Sequence, residues 1–230
     1  MRQSAFGIVV VSMLASVLVS YAEPKTPKDA IPKGLSGAVR KQVERLYSSD
    51  PIERNEACDE LAAMGEKAVP AIPFLVETLN DRTPVMRNTR VGDQTVVSSA
   101  TPGLQAGRAI LKMGKPGLDA LSGVLEGNGQ DEEAQRNVVR IMGESENPAT
   151  VPLLIKALKH KSEWVRYDAA WSLGALKSKD AIPHLIGLLE DSVNNVRSEA
   201  AYSLKKITGE DFGPDSAKWK AWMDTQKKPH

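Results

Sequence analysis

The chain repeats itself. Displaced by 31 residues, Val165 falls on Val196, Arg166 on Arg197, Ala169 on Ala200, Ala170 on Ala201 and Leu173 on Leu204. Displaced the other way by the same step, Gly174 falls on Gly143, Pro183 on Pro152 and Leu185 on Leu154, and Pro214 continues the series Pro152, Pro183. Self-similarity at a fixed period of this size marks stacked copies of one supersecondary unit, and it constrains the fold before any local pattern is read.

The reference unit is 162–191, SEWVRYDAAWSLGALKSKDAIPHLIGLLED. In its first half Val165, Ala169, Leu173 and Leu176 recur at spacings of 4, 4 and 3. At about 100° per residue these lie on one stripe of a helix, and small Ala169 and Ala170 let a neighbouring helix come close. The second half, with Ile182, Leu185, Ile186, Leu188 and Leu189, is apolar over a wider arc and expects neighbours on several sides. A lone pair of such helices cannot bury both surfaces, so it stacks on the next pair. Ser162, Asn147 before Pro148, Ser178 and Asp215 stand where helix caps are needed.

These residues carry a family resemblance. EWVRYDAAWSLGAL…AIPHLIGLLED and NNVRSEAAYSLKKI resemble HEAT repeats, of the short type seen in phycobilisome lyases and many bacterial proteins, and the likeness spans roughly residues 48–226. It implies an all-α fold, a right-handed α-α solenoid of about five HEAT-like repeats. It also implies that an Asp in each inter-repeat loop pairs with an Arg six positions on. Asp191 and Arg197 have that spacing, His160 occupies the Asp slot ahead of Arg166, and Gln135 replaces the Arg in the third unit.

In chain order, residues 1–22 read as an export signal. Arg2 supplies the positive start, 5–19 the apolar core, and Ser20-Tyr21-Ala22 a small-x-small cleavage site, so the mature chain starts at Glu23. The rival reading is an uncleaved N-terminal membrane anchor; either way the folded part lies outside the cytoplasm, periplasmic or extracellular, and a cleaved chain does not insert into a membrane. Residues 23–35 are a Pro- and Lys-rich linker with no packing pattern, followed by a helix over 36–48 whose Val39, Val43 and Leu46 cap the first repeat. The repeat domain, 36–226, divides into repeats of about 50–80, 81–127, 131–160, 161–191 and 192–226, with a tail at 227–230. Repeat two is irregular: 81–103 is a long loop with a small hairpin expected around Gly92-Asp93, and the helix resumes at about Leu104, with a second helix over 118–125. Trp219 and Trp222 in the last helix fit an element that closes the end of the core.

Little in the chain carries chemistry. The three histidines, His160, His184 and His230, have no metal-ligand spacing and read as solvated surface residues, and no cofactor is expected. The single cysteine, Cys58, reads as a small buried residue because no activating His is near it in sequence. No catalytic residue emerges. The charge balance of 30 basic against 29 acidic residues argues against a duplex nucleic acid partner.

Two features point to partners. With Val165 at zero on a helical wheel, Trp164, Tyr167 and Trp171 fall near about 260°, 200° and 240°, opposite the core stripe. Tyr202, 31 residues after Trp171, sits beside it on the next repeat, giving an outer row of aromatics. Neighbouring helices on both sides could instead bury part of this arc. The second feature is Arg82, Arg87 and Arg90 in the 81–103 loop, three guanidinium groups that could receive an acidic partner. The expected function is therefore a non-catalytic protein–protein interaction scaffold of the cell envelope or periplasm, binding a protein or peptide. The alternatives are an accessory factor or lyase-like HEAT enzyme, and a structural module of an envelope assembly.

Overall fold

The computed structural model describes residues 24–91, 94–127 and 131–226, with backbone only for 86–99. The expected export signal, the Gly92-Asp93 turn and His230 lie outside the described residues. The helices are α1 (Gly37–Arg45), α2 (Pro51–Met64), α3 (Ile72–Thr78), α4 (Pro102–Lys112), α5 (Lys115–Glu126), α6 (Glu132–Glu144), α7 (Val151–Ala157), α8 (Glu163–Ala175), α9 (Ile182–Leu188), α10 (Asn194–Thr208) and α11 (Ser216–Gln226). Along the chain they alternate as first and second helices of the repeats: α2 then α3, α4 then α5, α6 then α7, α8 then α9 and α10 then α11. The fold class is thus the expected helical repeat, broken by one antiparallel hairpin, β1 (Val85–Val91) and β2 (Gln94–Ala100).

Local chemistry sets the helix ends. Ser36, Asp50, Thr101, Asp131 and Ser162 each accept a backbone N–H from the first turn of the helix that follows. Asn147 caps a short 3-10 turn ahead of α7, and Asp215 accepts the Lys218 N–H at 3.1 Å. Ser178, expected to do the same, makes no side-chain cap bond. Pro73, Pro152 and Pro183 open the second helices, where a missing N–H costs nothing. Helix α4 begins at Pro102, ahead of the expected Leu104, because Thr101 caps it; α5 likewise begins at Lys115.

The chain divides into two compact units, 1–121 and 122–230, and the division falls within α5. In the first unit α2 packs on α1 and α4, and α3 on α4. Val39, Val43, Leu46, Leu61, Leu75, Leu79, Ile110 and Leu121 form its core. The hairpin is closed at its base by Asp81. The Asp81 carbonyl accepts the Gly103 N–H at 3.0 Å, and Oδ2 accepts Arg54 Nε at 2.7 Å in an ion pair whose side chains are 3 % and 1 % exposed. A Cβ on residue 103 would stand 2.5 Å from the Leu79 carbonyl, so only glycine fits this junction. Residues 24–35 pack here and are no free linker. Ile31 is buried, Thr26 donates N–H and O–H to the Glu77 carboxylate at 2.9 and 2.7 Å, and Tyr47 donates to the Thr26 carbonyl at 2.7 Å. Cys58 is buried, and burial, with Asp59 and Asp81 adding to it, pushes its thiol far above the usual range.

In the second unit the first helices α6, α8 and α10 lie side by side, with α7 and α9 against them and α11 on α9. The first helices approach closely at small residues. A Cβ on Gly143 would stand 2.5 Å from Ser172 Cβ, and one on Gly174 would stand 2.8 Å from Ser203 Cβ. Ser172 Oγ donates to the Val139 carbonyl at 3.1 Å and Ser203 Oγ to the Ala170 carbonyl at 2.8 Å, so the contact repeats with the sequence. This two-sided packing buries a wider arc of α8 than the apolar stripe alone: Asp168, Ala170, Ser172 and Gly174 join Val165, Ala169 and Leu173. Trp219 is fully buried, edge-on to Phe212 and Trp222, and closes the end as expected.

Ion-pair rungs link the inter-repeat loops, with a spacing that corrects the family expectation. Asp191 does not pair its carboxylate with Arg197. It accepts both Nε and Nη2 of Arg166, at 2.7 and 2.9 Å, from the repeat before. Arg197 instead donates to the Asp191 and Ser192 carbonyls, as Arg166 donates to those of His160 and Lys161. Arg166 therefore closes the loop behind it and reaches the acid of the loop ahead, whereas Arg197 closes the loop behind it. Arg54 does the same as Arg166, with the Ser48 carbonyl and Asp81. Gln135 and His160 occupy the slots one period before Arg166 and Asp191, so both charged partners are replaced there. Gln135 keeps the rearward half, with Nε2 3.2–3.4 Å from the Val124, Leu125 and Gly127 carbonyls.

Candidate partner-binding face

The aromatic row lies on α8 and α10 of the second unit, on the arc left open by the core. Trp164, Trp171 and Tyr202 are 43, 39 and 58 % exposed and, with Ile52, are the exposed large hydrophobic residues among those described. Two exposed tryptophans and an exposed tyrosine on adjacent packed helices form a patch.

The surroundings fix its geometry. Arg136, on α6, lies over the Trp164 ring with its guanidinium carbon 5.4 Å from the centroid. It is held there by Asp168, Nε to Oδ2 2.8 Å, and by Glu133 at 3.7 Å. Arg140 also reaches Asp168, at 3.4 Å. Trp171 borders an open recess with Gly143, Glu144, Glu146, Ala175, Leu176 and Lys177. Glu146 and Lys177, equivalent by the repeat, both hold positive φ (52° and 50°), where the turns at Gly65, Gly114 and Gly209 use glycine.

Tyr167 departs from the expected row. It is half-buried and hydrogen-bonded to Glu199, which also lies 3.2 Å from Ser203 Oγ. Burial raises the Tyr167 hydroxyl, with the Glu199 charge adding to it. Burial also raises the Glu199 carboxyl, against the pull of its two hydrogen bonds and Lys206. Asp168 and Glu199 occupy the same position in successive repeats, each a buried carboxylate in a seam between first helices. The sequence search missed Arg136, Asp168 and Glu199; their trace in it is a polar column, Asn137, Asp168, Glu199, beside the apolar stripe.

The arginine candidates belong to the first unit. Arg82 is exposed in the stretch entering the hairpin. Arg87 and Arg90 stand in β1 opposite Ser98 and Thr95, and their side chains lie outside the described residues. His184 is exposed as expected, but His160 is half-buried, and its Nδ1 accepts the Ser162 N–H at 3.1 Å. Among the described residues no three His, Cys, Asp or Glu side chains stand where they could share a metal ion.

Residues 118–205 match the family of HEAT repeats. No curated protein matches the chain. Similar solved structures include the complex of CpcE and CpcF of phycocyanin lyase from Nostoc, at 21 % identity, TM-score 0.43, over 86 % of this chain and 74 % of that one. Human deoxyhypusine hydroxylase is similar at 18 %, TM-score 0.43, over 89 % and 99 %. A designed armadillo repeat protein in complex with a (KR)4 peptide is similar at 19 %, TM-score 0.40, over 85 % and 94 %. The repeating Gly–Ser contacts between first helices of the second unit agree with the match to HEAT repeats over residues 118–205.

Proposed function

We propose that the protein is an interaction scaffold of the cell envelope, exported by residues 1–22, that binds a protein or peptide partner through the α8–α10 face. The observation behind this reading is the exposure of Trp164, Trp171 and Tyr202 on neighbouring packed helices. Trp164 is held in place by Arg136 and Asp168 before any partner arrives, so little side-chain freedom is left to lose on binding. Large, rigid aromatics in such settings are the usual anchors of interfaces.

The test is affinity capture from an envelope extract beside a Trp164→Ala/Trp171→Ala variant, followed by direct titration of the purified partner. A partner whose affinity falls at least about tenfold with the double variant supports this face, since anchor truncations cost about 2 kcal/mol or more. Equal binding by both chains removes the face from the function. N-terminal sequencing of the secreted form tests export separately; a mature chain starting at Glu23 is expected.

A further inference from the structure

We infer that the loop ahead of α8 is a proton-sensitive joint: protonation of His160 withdraws the acceptor that holds the Ser162 amide and loosens the first turn of α8, which carries Trp164. The repeats supply their own comparison. Asp81 and Asp191 stand in the same slot, and each accepts the backbone N–H two residues on through Oδ1: Thr83 at 3.0 Å and Val193 at 2.9 Å. His160 does this with Nδ1, from Ser162 at 3.1 Å. A carboxylate holds such an N–H throughout the neutral and mildly acid range. An imidazole does so only while neutral, because both ring nitrogens of the cation are donors.

The consequence is local to α8. Ser162 is its N-cap, accepting the Val165 N–H, and Trp164 lies in the turn that this bond closes. The two cations facing the ring oppose a second proton. Arg166 of α8 donates to the His160 and Lys161 carbonyls at 2.9 and 3.1 Å, which brings its charge beside the ring, and Lys161 adds another. From α5 the Leu125 carbonyl takes the ring N–H, and from α6 Glu132 supplies the one attractive charge. Gln135, where other repeats place arginine, is neutral. Burial is the largest influence on the ring, ahead of Lys161 and Arg166, and together they lower its proton affinity. For a histidine lowered in this way, the neutral ring's contribution is complete above the ordinary value of about 6.5 and is lost as pH falls below it, through the lowered value.

Hydrogen exchange of the full chain at about pH 7.5 and about pH 5.5, corrected for intrinsic rates, reads the joint directly. Protection at 162–166 is expected to fall about tenfold in the wild type. In His160→Asn, whose side-chain oxygen keeps the acceptor without titrating, it should stay within about twofold. No fall in the wild type, or an equal fall in the variant, overturns the proposal. Nitrogen-15 NMR of the wild-type ring stands if the variant does not fold. A single Nε2–H tautomer at pH 7.5 with a midpoint below about 6.5 is expected; an averaging ring with an ordinary midpoint overturns it.

Discussion

Arg54 and Asp81 show how much one buried pair can hold. The pair closes the base of the hairpin, with both side chains almost out of water. Arg54→Ala leaves the Asp81 carboxylate buried without its cation, so urea unfolding should show a loss of about 3–5 kcal/mol. Glu199 poses the opposite case, a carboxyl raised by burial. Its protonated form is favoured by folding, so its contribution is complete below the ordinary value of about 4.3 and is lost as pH rises through the raised value. Glu199→Gln is neutral at every pH and can keep contacts with Tyr167 and Ser203. Thermal melts at pH 7 should place the variant above the wild type, with the advantage gone by about pH 4.

At the scale of elements, α6, α8 and α10 are set by a glycine on one helix facing a serine on the next. Gly143→Ala would put a Cβ 2.5 Å from Ser172 Cβ and 2.9 Å from Ser172 Cα, contacts that no hydroxyl rotation relieves. A loss of about 1–3 kcal/mol in chemical denaturation is expected. Gly187→Ala on α9, which meets nothing within 4 Å, should be neutral or stabilising. The helices and most of their caps were legible because periodicity and capping are local. The packing of residues 24–35 was not, because Thr26 finds Glu77 across 51 residues and the segment has no period of its own.

At the scale of the molecule, an Arg–Asp rung joins successive loops at Arg54–Asp81 and at Arg166–Asp191, and the Gln135–His160 position lacks one. Gln135→Arg with His160→Asp should restore the missing rung. A double-mutant cycle in urea is expected to give a favourable coupling of about 1 kcal/mol, and a coupling near zero would show that the loops do not present these residues to each other. The same double variant removes the titrating ring, so acid sensitivity at α8 should disappear with it.

By itself the sequence determined that this chain is a stack of helix pairs, where most of them begin, and which arc of α8 faces away from the core. Those properties follow from a 31-residue period and from spacings within one or two turns of helix. The tertiary structure decided which polar residues meet. Asp191 takes Arg166 and not Arg197, Tyr167 turns toward Glu199, and Arg136 lies over Trp164. The reason is geometric: successive first helices pack side by side, so residues about one repeat apart are neighbours, and a pattern read along the chain does not say which of them touch.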